Sequence, residues 1–278
     1  MTTSRFAPSP TGRLHLGHAY SAAIGRAAAG RWHLRIEDLD PGRSRPEFVA
    51  GILEDLAWLG LGHDGELLVQ SQQTHLYDAA LAGLREQGLV YPCFCTRADI
   101  AASLSAPHGD AAADYPGTCR GKPDDPERRA STPHSWRLHS AEALARVGLP
   151  GWIEADGTRF ASDPRQFGDA ILARKDAPSS YHLACVVDDA ASGVDLVVRG
   201  IDLRPSTPVQ RLLQQLLGLP EPTYLHHPLV THADGRRLAK RDQAPTLAAM
   251  RAAGVAGQNL RNELAKGVLP YGFRLANA

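Results

Sequence analysis

Two histidines three residues apart, His15 and His18, stand with Gly17 between them where strand gives way to helix. Ser4 to Ala7 reads as the strand and Pro8 to Arg13 as the turn. An Ala-rich, Pro-free helix is expected from about Gly17 to Ala27. The first turn of a helix leaves backbone N–H groups unsatisfied and carries the positive end of the dipole, so this junction suits an anion. Gly17 has no Cβ and lets a ligand approach the backbone closely. Each histidine offers a ring N–H to a phosphate oxygen. A plain strand-turn-helix with two surface histidines has the same spacing, so the flanking residues must decide.

Other residue groups have chemical potential. Glu37, Asp38 and Asp40 follow the second expected strand, Trp32 to Glu37. Carboxylates past a strand's C-terminal end sit where open α/β sheets bind ligands, and equally where a solvated turn would. Cys93, Cys95 and Cys119 are candidate ligands of one structural Zn²⁺, which takes four tetrahedral N, S or O donors. General ligand preference favours His108 as the fourth. Cys185, in the apolar run Leu183 to Val187, reads as a buried small hydrophobe. Asp195 to Arg199 is a parallel-strand pattern ending on an arginine well placed for a carboxylate. The loop Gly235 to Arg241 is basic, the common character of a solvated surface.

Positioning these groups falls to alternating strands and helices. Ser44 is the expected cap of a helix from Arg45 to Leu59, and Ser71 of one from Gln72 to Gln87 that stops at Gly88. Phe167 to Arg174 reads as strand, Tyr181 to Asp189 as helix, and Thr223 to Leu225 as a short strand. Ser206 is the expected cap of the helix Pro208 to Leu217, and Thr246 to Ala253 and Asn259 to Lys266 are helical. Such βα units predict an α/β fold with a Rossmann-like doubly wound parallel sheet. Between Cys93 and about Pro164, Ser, Ala, Gly, Asp and Pro dominate, and the stretch reads as an irregular insertion. The expected organisation is residues 1–92 and 165–241 as two halves of one catalytic domain, 93–164 as the insertion, and 242–278 as a helical end.

The 30 basic and 30 acidic residues cancel, so any polyanion must be held by local patches rather than bulk charge. No apolar run approaches the ~18 residues of a membrane span, and the N-terminus has no apolar signal core. A cytoplasmic protein, and a monomer, is the expectation. Four cysteines then argue for metal or free thiols rather than a disulfide scaffold.

The flanks of the histidine pair carry a resemblance. Arg5-Phe6-Ala7-Pro8-Ser9-Pro10-Thr11-Gly12 followed by His15-Leu16-Gly17-His18 resembles the first signature of class I aminoacyl-tRNA synthetases, closest to the glutamyl branch. Leu16 stands where Ile is usual. Arg199, Gly200 and Asp202 match that family's R-G-x-D segment. Arg237-Leu238-Ala239-Lys240 resembles the second signature in its K-L-S-K form, with Arg237 for the first Lys and Ala239 for the Ser. The family pairs C-x-C with Tyr-x-x-x-Cys, matched by Cys93, Cys95, Tyr115 and Cys119, which implies Tyr115 as the fourth zinc ligand. Arg241 is followed by only 37 residues, fewer than an anticodon-binding domain of about 100 residues needs. The combination resembles the glutamyl-queuosine tRNA(Asp) synthetases.

That resemblance implies ATP-dependent activation of L-glutamate and its transfer to queuosine in tRNA(Asp), with Mg²⁺ accompanying ATP. It implies Arg5, Phe6, Ala7, Pro8, Ser9, Glu37, Tyr181 and Arg199 around glutamate. His15, Gly17, His18 and Lys240 would meet ATP, with His15, His18 and Lys240 catalytic. Alternatives are a shortened glutamyl-tRNA synthetase charging the 3′ end of tRNA(Glu), a nucleotidyltransferase using H-x-G-H, and a non-catalytic paralogue.

Overall fold

A computed structural model describes residues 1–96, 98–100, 115–238 and 245–276. Its parallel layer begins with β1 (Thr3–Phe6), β2 (Arg31–Ile36) and β3 (Leu68–Val69), hydrogen-bonded in the order β1-β2-β3. In β2, Trp32, Leu34 and Ile36 are fully buried, as in a strand covered on both faces. The opposite face carries Arg35, with Glu37 just beyond, so these two point the same way. Arg5 lies in register with His33, which brings Arg5 onto the face of Arg35. β4 (Val90–Cys93), β5 (Ser135–Leu138) and β8 (Ile171–Ala173) form an antiparallel sheet, and β6 (Gly151–Ile153) and β7 (Arg159–Ala161) a hairpin. β9 (Leu196–Gly200) and β10 (Thr223–His227) are parallel, and β11 (Leu229–His232) and β12 (Phe273–Ala276) antiparallel.

β9 runs beside β1: the Asp195 N–H donates to the Thr3 carbonyl at 3.1 Å, and the Thr3 N–H to the Asp195 carboxylate at 2.8 Å. From β1 the chain therefore winds one way to β2 and β3 and the other way to β9 and β10. The crevice beyond the carboxyl ends of β1 and β9 is the switch point at which open α/β sheets bind ligands. The expected doubly wound parallel layer is present, with an antiparallel sheet added to it.

Helix Leu16–Ala28 packs on this layer and against the helix Gly257–Ala265. Its Leu16, Ala19, Tyr20, Ala22 and Ala23 enter a core with Phe6, Trp32, Leu34, Ile36 and Ile52. A second core joins helices Thr74–Glu86, Tyr181–Ala191 and Thr207–Leu216 through Leu84, Leu183, Val186, Leu212 and Leu213. Gly88 ends its helix as expected. It takes φ +70°, and Leu89 N–H reaches back to the Leu84 carbonyl at 3.0 Å.

Several local expectations are corrected. Ser44 does not cap: Pro46 sits at the first helical position of Pro46–Trp58, and Arg45 before it is extended, as a residue preceding proline prefers. Ser71 does not cap either. Its N–H and hydroxyl both donate to the Asp38 carboxylate, at 2.9 and 2.7 Å, and the helix starts at Thr74. Ser206 ends a 3₁₀ turn, Ile201–Ser206, and is already helical in φ and ψ, so it makes no cap bond. Pro164–Phe167 is a 3₁₀ turn capped by Asp163, and strand begins only at Ile171.

The stretch 93–164 is not irregular among its described residues. It contains helices Pro126–Ser131 and Ser140–Val147, strand β5 and the β6–β7 hairpin. Elements of three to eight residues are too short for hydrophobic periodicity to register.

Candidate active site

The carboxyl ends of β1, β2 and β9 open into a cavity of about 780 Å³. Arg5, Phe6, Ala7, Pro8 and Ser9 line one wall, and His15, Gly17 and His18 another; Glu37, Tyr181 and Arg199 complete it. Every described residue expected to meet glutamate or ATP is therefore on one cavity. Arg237 and Leu238 bring the basic loop to its edge. Lys240, Ala239 and His108 lie outside the described residues.

The histidine pair is built into the helix start. His15 is the N-cap: Gly17 N–H donates to its Nδ1 at 3.1 Å, while His15 N–H donates to Nδ1 of His18 at 3.2 Å. A ring nitrogen that accepts a backbone N–H cannot itself carry the proton, so both neutral imidazoles hold theirs on Nε2. The reciprocal cap thus satisfies two of the orphan N–H groups and fixes both rings as Nε2–H donors. Gly17 packs tightly on the capping ring: a Cβ there would lie 3.1 Å from Cε1 of His15, which would have to shift by a few tenths of an ångström.

Beneath the other wall lies a buried charge network. Arg5 Nε donates to Asp189 Oδ1 at 2.9 Å, its Nη1 to the Val198 carbonyl at 3.3 Å. Arg35 Nη1 donates to the same Asp189 oxygen at 2.5 Å and its Nη2 to Glu37 Oε1 at 2.9 Å. Desolvation would raise the Asp189 pKa, but the two guanidiniums outweigh it and hold it at about 2. Asp188 faces Tyr77 and Gln70 instead, and there burial dominates and raises its pKa. Cys185 is buried as expected but not among hydrocarbon: its thiol points at Asp189 Oδ2, 3.5 Å away, with Arg35 Nη2 3.4 Å from the sulfur. That setting, desolvation first, pushes its pKa to about 11. Of the three carboxylates after β2, only Glu37 reaches the cavity; Asp38 holds Ser71 and Asp40 holds Arg43 at 2.7 Å.

Arg199 is partnered differently. It is 3% exposed, and its four side-chain partners are His226 at 3.1 Å, Tyr181 at 3.3 Å, Gln210 at 2.7 Å and Thr207 at 2.8 Å. All are uncharged, since burial and the nearby guanidinium push the His226 pKa down to about 4. Among the described residues no carboxylate forms an ion pair with it. A buried guanidinium without a counter-ion, at the wall of a cavity, is a site for an anion brought by a ligand. Burial raises the Tyr181 pKa to about 12, so its hydroxyl stays protonated there.

Away from the cavity, the sulfurs of Cys93, Cys95 and Cys119 lie within 4.8 Å of one another, a group able to hold one metal ion. Tetrahedral zinc thiolates put sulfurs about 3.8 Å apart, and Cys95 and Cys119 are at 3.5 Å. Tyr115 is buried beside them, its hydroxyl accepting the Cys119 N–H at 2.7 Å. Desolvation, then the neighbouring thiols, pushes the Cys95 thiol up to about 12, whereas hydrogen bonds outweigh desolvation at Cys119 and hold its thiol below the usual value.

Sequence reading did not single out Arg35, Asp188, Asp189, Glu154, His226, Thr207 or Gln210. Signals existed for some of them. Arg35 is a charge set between Leu34 and Ile36 inside a strand, and Asp188-Asp189 interrupts an apolar helix face. Glu154 had none, because its position depends on a hairpin of three-residue strands.

Residues 1–273 match the family of class I tRNA synthetases (E and Q), catalytic domain. The chain is 44% identical over 274 residues to the glutamyl-Q tRNA(Asp) synthetase of Rhodobacter capsulatus, covering 93% of this chain and 98% of that one. It is 47% identical over 257 residues to that of Nocardia farcinica, covering 90% and 79%. Among solved structures, a glutamate tRNA ligase from Elizabethkingia meningosepticum superposes with a TM-score of 0.78 at 24% identity, over 95% of this chain and 60% of that one. No helix among the described residues is long and apolar enough to cross a membrane. The chain belongs to the glutamyl-Q tRNA(Asp) synthetases, within the class I tRNA synthetases of the E and Q group.

Proposed function

We propose that the chain activates L-glutamate with ATP and transfers it to queuosine in tRNA(Asp). One observation carries the geometric half: a buried Arg199 that forms no ion pair with a carboxylate among the described residues shares a cavity with a helix start lined by His15 and His18. Carboxylate and polyphosphate can then be held side by side. The acceptor rests on the relatives, named glutamyl-Q tRNA(Asp) synthetases.

In this reading the α-carboxylate oxygen of glutamate attacks the α-phosphorus of ATP. The bond to the bridging oxygen breaks and pyrophosphate leaves. The mixed anhydride then passes its acyl group to a cyclopentenediol hydroxyl of queuosine, releasing AMP. No covalent enzyme intermediate is required, so catalysis reduces to positioning and charge stabilisation. Arg199 pairs with a substrate carboxylate, Glu37 takes the ammonium group, and Tyr181 closes the pocket beside the strand end formed by Phe6 to Ser9. Arg5 lines the same wall, held by its bond to Asp189. His15 and His18 hold phosphate oxygens, joined by Lys240 from the basic loop. Mg²⁺ arrives with ATP and neutralises phosphate charge.

We propose further that Cys93, Cys95, Cys119 and Tyr115 hold one structural zinc, to be counted by elemental analysis. Residues 1–92 and 165–241 form the halves of the catalytic domain and 93–164 the insertion; the expected helical end carries two helices but also strand β12, which pairs with β11 of the second half. The deciding experiment supplies labelled glutamate and ATP with tRNA(Asp) carrying or lacking queuosine, and with tRNA(Glu). Label only on queuosine-bearing tRNA(Asp), surviving removal of its 3′ end, is expected. Label on tRNA(Glu) that prior periodate oxidation abolishes would replace this acceptor with a 3′ end.

A further inference from the structure

β9 and β10 pair in register, and His226 stands directly opposite Arg199. On the far side of β10, Glu154 bridges to Tyr224, and Ala155 N–H donates to the Tyr224 carbonyl at 2.7 Å. Glu154, His226 and Arg199 therefore form a row across three adjacent segments. Glu154 Oε1 lies 2.7 Å from Nδ1 of His226, and Arg199 Nε lies 3.1 Å from its Nε2. We propose that Glu154, acting through His226, is the positioning residue for Arg199. It supplies the guanidinium's orientation while leaving its charge to the substrate carboxylate; this rests on the proposed function above.

The protonation state follows from the ends of the row. A carboxylate only accepts and a guanidinium only donates. Nδ1 must then carry the proton and Nε2 the lone pair. An imidazolium would turn an N–H toward an N–H, as would the other neutral tautomer. The His226 side chain is 2% exposed, and its depressed pKa agrees with a neutral ring. Thr207 Oγ1, 3.4 Å from Nε2, is a hydroxyl that adapts to either state, so it cannot fix the tautomer. Glu154 can, and is itself held: Trp152 Nε1 donates to Oε1 at 2.8 Å, and its backbone N–H to the Thr158 carbonyl at 2.9 Å.

The intervening ring has a purpose that a direct ion pair lacks. A carboxylate touching Arg199 would compete with the substrate for the guanidinium, as Asp189 engages Arg5. With the imidazole between, Nε is fixed and the Nη edge keeps only neutral partners.

The test compares Glu154→Ala and Glu154→Gln with the unmodified chain in glutamate-dependent pyrophosphate exchange. Glu154→Ala should raise KM for glutamate about tenfold, the scale of one charge-linked hydrogen bond, with KM for ATP little changed. Glu154→Gln keeps an acceptor toward His226 and Trp152 and should regain most of that loss. An unchanged KM for glutamate in Glu154→Ala overturns the proposal. So does a parallel rise in both KM values with a lower melting temperature, which marks a structural role. If the unmodified chain shows no glutamate-dependent exchange, the functional reading fails, and ¹⁵N NMR of His226 decides the positioning independently. An Nδ1–H tautomer lost in Glu154→Ala upholds it; an Nε2–H tautomer in the unmodified chain overturns it.

Discussion

Arg5 and Arg199 stand near the carboxyl ends of neighbouring strands, on the wall of one cavity, and are partnered in opposite ways. Arg5 shares the Asp189 carboxylate with Arg35, whose own Nη2 holds Glu37. Arg199 meets an imidazole, a phenol, an amide and a hydroxyl. Both are buried, so both have lost most of their hydration. Arg5 has recovered that loss inside the protein. Arg199 has recovered it only in part, and a ligand carboxylate completes it. Two arginines of equal burial thus divide the work: one braces β1 against the helix Tyr181–Ala191, the other remains available.

The largest expected effect lies at Arg199. Replacing it with alanine removes a buried cation at the cavity wall that forms no ion pair with a carboxylate among the described residues, and kcat/KM for glutamate should fall by about 10⁴. Its unfolding midpoint should shift less than that of Asp189→Asn. If Arg5→Ala reduced glutamate use as selectively while the fold stayed intact, the division of roles would collapse. Asp189→Asn tests the other half. It strips the shared carboxylate from two buried guanidiniums, and breaking a buried pair in this way costs about 3–5 kcal/mol. Denaturant unfolding should register that loss. The Asp189 pKa is depressed in the folded chain, so its contribution is present above the unfolded carboxylate value. It drains away as pH falls from about 4 toward about 2. A variant with the unfolding free energy and acid limb of the unmodified chain would remove Asp189 from the brace.

His15 combines both kinds of duty, since its Nδ1 caps the helix and the residue lines the cavity. Loss of one preorganised donor lowers rate by about 10²–10³, while loss of a cap costs about 1 kcal/mol. His15→Asn restores a capping oxygen but not the reach of Nε2. It should keep the melting temperature that His15→Ala lowers, with exchange equally depressed in both. Equal exchange in His15→Asn and the unmodified chain would reduce His15 to a cap.

The parallel layer, its switch point and the histidine junction were legible because they are local. A strand, a turn and a helix start occupy consecutive residues, Trp32, Leu34 and Ile36 alternate along β2, and an apolar run marks β9. Arg199 could be placed at a strand's end, but its lack of a counter-ion could not be foreseen. That depends on the β9–β10 register and on Glu154, some 45 residues away in sequence from Arg199. Arg5 lines the cavity as expected, but its bond to Asp189, 184 residues distant, could not be seen in the sequence. The caps at Ser44, Ser71 and Ser206 failed for a shared reason: Pro46, Asp38 and a preceding 3₁₀ turn each offered the backbone a better bond or a different conformation.

The smallest effect is expected one residue from the largest structural one, at Asp188. Its Oδ2 accepts from Gln70 Nε2 at 2.7 Å, and the Tyr77 hydroxyl lies 2.9 Å from both carboxylate oxygens. Arg35 Nε is 3.8 Å away, too far for a hydrogen bond. In Asp188→Asn the amide oxygen can take the Gln70 bond while the NH₂ donates to the Tyr77 oxygen, because a phenol both gives and accepts. One N–H of the new amide is left over, a cost offset by removal of a desolvated charge, and Arg35 retains Asp189 and Glu37. The change in stability should therefore stay within about 1 kcal/mol. Its pH dependence should run opposite to that of Asp189. A carboxyl whose pKa is raised on folding binds more protons in the native state, so it withdraws stability as pH climbs past the unfolded value. Against the unmodified chain, Asp188→Asn should gain ground from about pH 4 upward. A loss as large as that of Asp189→Asn, or one that deepens with rising pH, would mean that Arg35 draws on both aspartates alike.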